Sequence, residues 1–242
     1  MLLAVDVGNT LIKTAVFEQN TILEVFVFHK ENFLKELKFI LKNFPKIDKI
    51  VVASVGDVEK SDFSAVENLA KITFITKEST FPFLNLYETP NTLGTDRMVL
   101  AAGAVLKFPN QCRLVIDAGT CITYDYIDEN DNYLGGAISP GIRLRYESLH
   151  QFTAKLPLLS KSYPENVIGN STNESIHSGV INGLVNEIDG FIDYYRTLNA
   201  NFIIILTGGD ADFLAIRLKN TIFANPNFLL EGLNQTFQYN QK

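Results

Sequence analysis

The feature that most constrains this chain is an internal echo. "LLAVDVGNTLIKTAV", residues 2–16, and "RLVIDAGTCITYD", residues 113–125, each run from an apolar stretch into an aspartate, one spacer residue and a glycine, with a threonine one or two residues later. Asp6 aligns with Asp117 and Gly8 with Gly119, and both pairs lie 111 residues apart (117 − 6 and 119 − 8). One Asp-x-Gly turn is an ordinary hairpin tip. Two at equivalent places point to a fold made of two related halves.

The periodicity on either side of each motif agrees. Val5–Phe17 and Ile22–Phe28 read as strands joined around "EQN", and "ENFLKELKFILKNF" has apolar residues at 33, 34, 37, 40, 41 and 44, one face of a helix. A strand at Lys49–Val55, a short helix at Asp62–Ala70 and a strand at Ile72–Thr76 complete a β-β-α-β-α-β run. "FPFLNLYETPNTLGTDR", residues 81–97, is rich in turn residues and reads as a loop, followed by a buried, alanine-rich helix in "RMVLAAGAVLKF". The second half restarts with strands at Leu114–Ala118 and Ile122–Ile127, the "DENDN" turn and "YLGGAISPG". Helices are expected near Arg143–His150, Thr172–Leu198 and Ala211–Leu218, with strands at Phe202–Thr207 and Phe228–Leu230. No linker separates the halves. The expectation is a duplicated α/β fold with lobes at 1–112 and 113–242 and a site in the cleft between them.

Composition narrows the partner. The 242 residues are 46% hydrophobic and 20% charged, ordinary for a globular chain that buries a real core. No apolar run approaches the ~20 residues of a membrane span. Asp6 interrupts the apolar start, and neither a basic flank nor a small-residue cleavage site accompanies it, so a signal peptide is not expected. The net charge of −6 argues against a broad nucleic-acid surface but leaves room for a local phosphate pocket. Two cysteines make no disulfide framework and three scattered histidines no zinc cluster; the expected location is cytoplasmic.

Three stretches carry chemistry. In "DVGNTLIK" the glycine removes the Cβ that would block an approaching phosphate, Asn9 and Thr10 supply hydrogen bonds, Asp6 suits Mg²⁺ and Lys13 neutralises charge. In "DAGTCITYD" Asp117 can bind a cation and Thr120 a phosphate oxygen. Together the two turns would clamp a nucleoside triphosphate, although no Walker loop G-x-x-x-x-G-K-[ST] occurs. In "GTDRMVLAAG" the helix start favours an anion, Arg97 can grip a carboxylate, and Asp96 can accept the proton of an attacking hydroxyl. Helix capping by Asp96 and a surface position for Arg97 form the plainer alternative. "ILTGGD" on its own reads as a plain strand-ending turn. Arg143 and Arg145 could add positive potential or be surface residues.

The combination of "DVGNT", "YETPNTLGTDR", "DAGTCITYD", "GGAISPG" and "GNSTNESIHSG", in this order over nearly the whole chain, resembles the type III pantothenate kinase family. The resemblance implies the ribonuclease-H-like lobes of the actin, sugar-kinase and Hsp70 ATPase superfamily, with mixed sheets and flanking helices. It implies that Asp6, Val7, Gly8, Asn9, Thr10, Leu11, Ile12 and Lys13 form the first ATP loop and that Thr120 contacts ATP from the second. Asp117 would bind a monovalent cation, K⁺ or NH₄⁺, and Mg²⁺ would accompany ATP, with Asp6 its protein partner. Tyr87, Gly94, Thr95, Asp96 and Arg97 would contact pantothenate, with Asp96 the catalytic base, and Thr172 would reach it from the other subunit of a homodimer with a shared site. Cys121 and Ile122 depart from the small residues expected after "DAGT"; Cys121 reads as a buried packing thiol.

The expected activity is phosphorylation of pantothenate by ATP, the first step towards coenzyme A. A non-catalytic nucleotide-binding protein of the same fold, or another small-molecule kinase of the superfamily, is the alternative.

Overall fold

The computed structural model describes all residues except Asn9, Thr10, Val55, Gly56, Asp57, Glu59 and Lys242. Its contacts divide the chain into two compact units. One comprises Met1–Pro109, Asp131–Tyr133 and Asn227–Lys242; the other Asn110–Asn130 and Leu134–Pro226.

The first unit opens with β1 (Leu2–Val7), β2 (Leu11–Glu18) and β3 (Thr21–His29), an antiparallel meander. After α1 (Phe33–Asn43), β4 (Lys49–Ser54) and β5 (Lys71–Phe74) join in parallel, so the order is β3-β2-β1-β4-β5. Side chains alternate along β1 with the period of two that a strand imposes. Leu3, Val5 and Val7 pack with Phe33, Leu37 and Ile40 of α1. Leu2 and Ala4 join a second cluster on the other face.

That second cluster moves the boundary of the unit. After a two-residue strand β6 (Leu84–Asn85), the helix α2 (Thr95–Lys107) contributes Val99 to it. The chain's last helix contributes Leu230, Leu233 and Phe237, so 227 onwards belongs to the first unit rather than to the lobe expected at 113–242. The strand expected at Phe228–Leu230 is the start of that helix, because Leu230, Leu233 and Phe237 recur at helical spacing. A Cβ on Gly103 would lie 2.9 Å from the Cα of Gly232, so the two helices touch through backbone. The helix expected at Asp62–Ala70 is a 3₁₀ turn, Lys60–Phe63, followed by further turns; Phe63, Val66 and Ala70 are its buried anchors.

In the second unit β7 (Cys112–Ala118) and β8 (Cys121–Ile127) form the antiparallel pair, and β9 (Asn132–Pro140) follows. The first two residues of β9 pair with β6 and belong to the first unit. Next come α3 (Ile142–Gln151), α4 (Thr172–His177), a π-helical turn at Ser178–Asn182, and α5 (Gly183–Leu198). The long helix expected at Thr172–Leu198 is therefore three consecutive helical segments. Then β10 (Phe202–Thr207), α6 (Ala211–Ala215) and β11 (Phe223–Ala224) lead to α7 (Phe228–Tyr239), the last helix described above. Leu184, Ile188 and Ile192 of α5 pack with Leu114 and Ile116 of β7.

The order β9-β8-β7-β10-β11 repeats β3-β2-β1-β4-β5 strand for strand, with β7–β10 and β10–β11 parallel as β1–β4 and β4–β5 are. The duplication inferred from two short motifs extends to the whole sheet.

Candidate active site

Each Asp-x-Gly motif sits where an apolar central strand reverses into its antiparallel neighbour. In the first, the Gly8 N–H donates to the Leu11 carbonyl at 3.1 Å, and the register sets Asp6 opposite Lys13. Opposite residues of an antiparallel pair share a face, so this carboxylate and this ammonium belong to the same side of the sheet. Val7 and Ile12 are fully buried in the core; of the residues expected around ATP, these two have only backbone to offer. Asn9 and Thr10, expected ATP contacts, lie outside the described residues.

The second turn is tighter. Gly119 N–H donates to the Cys121 carbonyl at 3.0 Å, and Asp117 faces Thr123 rather than a lysine. Two other loops hold it. Gly141 N–H donates to the Thr120 carbonyl at 3.0 Å, and Asp210 N–H to the Ala118 carbonyl at 3.0 Å. Gly208 has φ +95°, a left-handed conformation that favours glycine, and a Cβ there would lie 2.4 Å from Asp117 Oδ1 and 2.5 Å from the Ala118 oxygen. A Cβ on Gly141 would meet the Gly119 and Thr120 carbonyl oxygens at 2.3 and 2.5 Å. "ILTGGD" thus closes on the second Asp-x-Gly turn, and so does the glycine ending "GGAISPG".

The third motif starts α2 after an extended Gly94, and the helix end directs its free N–H groups at the loop before it. Asp96 is half-buried, and its Oδ1 accepts the Arg97 N–H at 2.9 Å. Gly94, not Asp96, occupies the cap position. Arg97 is only 6% exposed, so it is no surface residue, and its guanidinium carbon lies 5.8 Å from the centre of the Tyr87 ring. Tyr87 meets Tyr133 edge-on. Thr95 is buried beside them in the sequence. Thr172 is exposed on the first turn of α4, where Ser171 Oγ accepts the Glu174 N–H at 3.2 Å.

Two expectations change. Cys121 is exposed, not buried: it opens β8 at the turn, on the face opposite Ile122 and Tyr124, and that face is covered only further along the strand, at Asp125 and Ile127. The buried thiol is Cys112, which donates to Glu129 at 2.8 Å; burial pushes it up from its ordinary range. Arg145 is an anchor rather than a source of free positive charge. Its guanidinium donates to the Pro140 carbonyl and Ser139 Oγ, each at 2.8 Å, and to Glu187 Oε2 at 2.6 Å. Arg143 lies exposed beside Glu147, one turn further along α3. Glu187 lacks any local sequence signal: it is a helix glutamate, and only the three-dimensional structure shows what it holds.

Solved structures match this architecture over its whole length. A Campylobacter jejuni protein described as a conserved Baf family transcriptional activator superposes with a TM-score of 0.65 at 23% identity, covering 99% of this chain and 98% of that one. A ROK family glucokinase from Streptomyces griseus, solved with glucose and AMPPNP, gives 0.53 at 11%, covering 96% and 97%. At these identities the likeness is one of fold, and that fold is the duplicated one of actin-like ATPases and sugar kinases. The sequence goes further. The family model for type III pantothenate kinase matches residues 2–194, and the type III pantothenate kinase of Flavobacterium johnsoniae is 66% identical over 99% of this chain and 98% of its own. The chain belongs to the type III pantothenate kinase family.

Proposed function

We infer that this chain transfers the γ-phosphate of ATP to the primary hydroxyl of pantothenate, forming 4'-phosphopantothenate, the first step of coenzyme A biosynthesis. The observation that carries this reading is the pairing of Asp96 and Arg97 on the first turn of α2. Pantothenate offers a carboxylate and a primary hydroxyl. A buried arginine beside Tyr87 suits the first, and a half-buried aspartate suits the second. In this reading Arg97 holds the carboxylate and Asp96 accepts the hydroxyl proton as the oxygen attacks, with Tyr87, Gly94 and Thr95 completing the substrate contacts.

The phosphates fall to the two Asp-x-Gly turns: Gly8 and its neighbours by backbone, Lys13 by charge and Thr120 by its hydroxyl. Such catalysis is positioning and electrostatics rather than covalent chemistry. Mg²⁺ bound to ATP would neutralise charge on the phosphates and needs one or two protein carboxylates, a demand that Asp6 at the end of β1 meets. Asp117 Oδ1 and the Ala118 carbonyl converge beside Gly208, where both lie within 2.5 Å of the position a Cβ would take. Converging hard oxygens of this kind suit a monovalent cation, K⁺ or NH₄⁺, which would offset phosphate charge near Thr120.

A homodimer in which Thr172 completes the partner's pantothenate site also belongs to this reading. Phe152, Val167 and Ile168 are 81%, 79% and 86% exposed, an unusual outlay of apolar side chains that a second copy would cover. Among the described residues no helix is long and apolar enough to cross a membrane, and both cysteines are free, which suits the reducing cytoplasm.

Coupled ADP release, measured with pantothenate, hexoses and acetate in parallel, tests the assignment. It should depend on pantothenate alone. ADP release indifferent to pantothenate would end this reading.

A further inference from the structure

The second phosphate turn gains support from groups that touch no substrate in the reading above. Glu187, on α5, is the centre of a polar cluster. Its Oε1 accepts from Ser139 Oγ at 2.5 Å and from the Tyr124 hydroxyl at 3.2 Å, while Oε2 accepts from Arg145 at 2.6 Å. Burial, reinforced by the neighbouring carboxylate, pushes the Tyr124 hydroxyl up, so it remains a donor. Arg145 closes the cluster by donating to Ser139 Oγ and the Pro140 carbonyl. Three side chains from β8, β9 and α3 thus converge on one carboxylate.

What this cluster holds is the junction Ser139–Pro140–Gly141. Gly141 N–H is the donor to the Thr120 carbonyl, and the Gly141 carbonyl accepts the Arg145 N–H at 3.1 Å. Gly141 also packs so closely on Gly119 and Thr120 that no side chain fits between them. A shift of the junction by a fraction of an ångström must therefore move the Thr120 backbone, because there is no slack at the contact. The path from Glu187 to Thr120 is short and consists of hydrogen bonds and one backbone contact.

We propose that the Glu187–Arg145–Ser139 cluster is a positioning device for the second phosphate turn, setting the place of Thr120 through Gly141 and so the affinity for the nucleotide, not for the acceptor. The proposal rests on the reading that Thr120 contacts ATP. Arg145 and Glu187 are positioning residues: they act through Gly141 and carry no reaction step. An ion pair with 20% and 26% of its two side chains exposed is screened by its surroundings less than a surface pair, and losing one partner leaves the other without its match.

The test is MgATP binding to the purified full-length chain by calorimetry, with steady-state kinetics beside it. Glu187→Gln keeps the size and loses the charge; it should raise the Kd and KM for MgATP about tenfold while leaving the KM for pantothenate within about twofold. Ser139→Ala, which spares the ion pair, should raise the MgATP Kd about threefold. Arg145→Lys should restore part of what Arg145→Ala loses. Arg143→Ala, removing a charge from the same helix without touching the junction, should leave both constants unchanged. If Glu187→Gln fails to fold, Ser139→Ala and Arg145→Lys carry the test. A nucleotide Kd unchanged in the folded variants, or equal losses for MgATP and pantothenate, would overturn the proposal, as would a wild-type chain that does not bind MgATP. A wild type that binds MgATP but leaves pantothenate untouched would remove the proposed activity alone, because the nucleotide Kd still reads the positioning effect.

Discussion

The two Asp-x-Gly hairpins descend on the same strand order but solve their task differently. The first sets a lysine across from its aspartate, Lys13 against Asp6. The second sets Thr123 against Asp117, closes one residue sooner, and is pinned by backbone hydrogen bonds from Gly141 and Asp210. The difference teaches that a duplicated fold need not duplicate its chemistry. One turn brings a cationic side chain; the other is a backbone cradle whose shape comes from its neighbours. The unit with the cationic turn also carries Asp96, Arg97 and Tyr87, the residues proposed for proton transfer and acceptor binding.

The comparison is open to breakage from both sides. The largest effect is expected at Asp96: Asp96→Asn should fold and bind MgATP normally yet lower kcat by about 10²–10⁴. Near-normal kcat in that variant would take the base role from Asp96. Next comes the cradle. Gly208→Ala must strain its left-handed backbone and crowd Asp117 and Ala118, at about 1–3 kcal/mol. Thermal melts should register this as a lower Tm, and MgATP titrations as weaker binding. A variant as stable and as tight as wild type would show that the second turn does not depend on that loop.

Smaller effects separate side chain from backbone. Lys13→Gln should raise the KM for MgATP about tenfold, more at low salt than at high, whereas Thr123→Val should change it less than about twofold. Equal effects at the two positions would erase the distinction drawn between the turns. The smallest change is chemical rather than kinetic. Native thiol labelling should reach the exposed Cys121 quickly and the buried Cys112 only on unfolding, and MgATP should slow the reaction of Cys121, since its neighbour Thr120 is a proposed phosphate contact. Labelling unaffected by MgATP would count against placing the nucleotide at this turn.

Much of this was legible in the chain itself, and the physical reasons are specific. Repetition exposed the duplicated sheet because strand–Asp–x–Gly–strand is local: a few consecutive residues encode the turn. Asp96 and Arg97 were legible as a helix start for the same reason. Three features were not. Phe228–Leu230 as a short apolar run fits strand or helix, and only packing of Leu230, Leu233 and Phe237 on the first sheet decides it. Cys121 has buried company in Ile122 and Tyr124, yet it stands at the open start of β8, where nothing covers its face until Asp125. Glu187 lies 67 residues from Thr120 (187 − 120) and reaches it through Arg145, Ser139 and Gly141, a path assembled by the fold and written in no local pattern.

The most direct measurement is the product itself. After incubation of the chain with MgATP and pantothenate, phosphorus–proton coupled NMR should show a new phosphate ester on the carbon of the primary alcohol, formed in step with ADP. Pantothenate that remains unmodified while ADP accumulates, or a phosphate attached at another oxygen, would contradict the account.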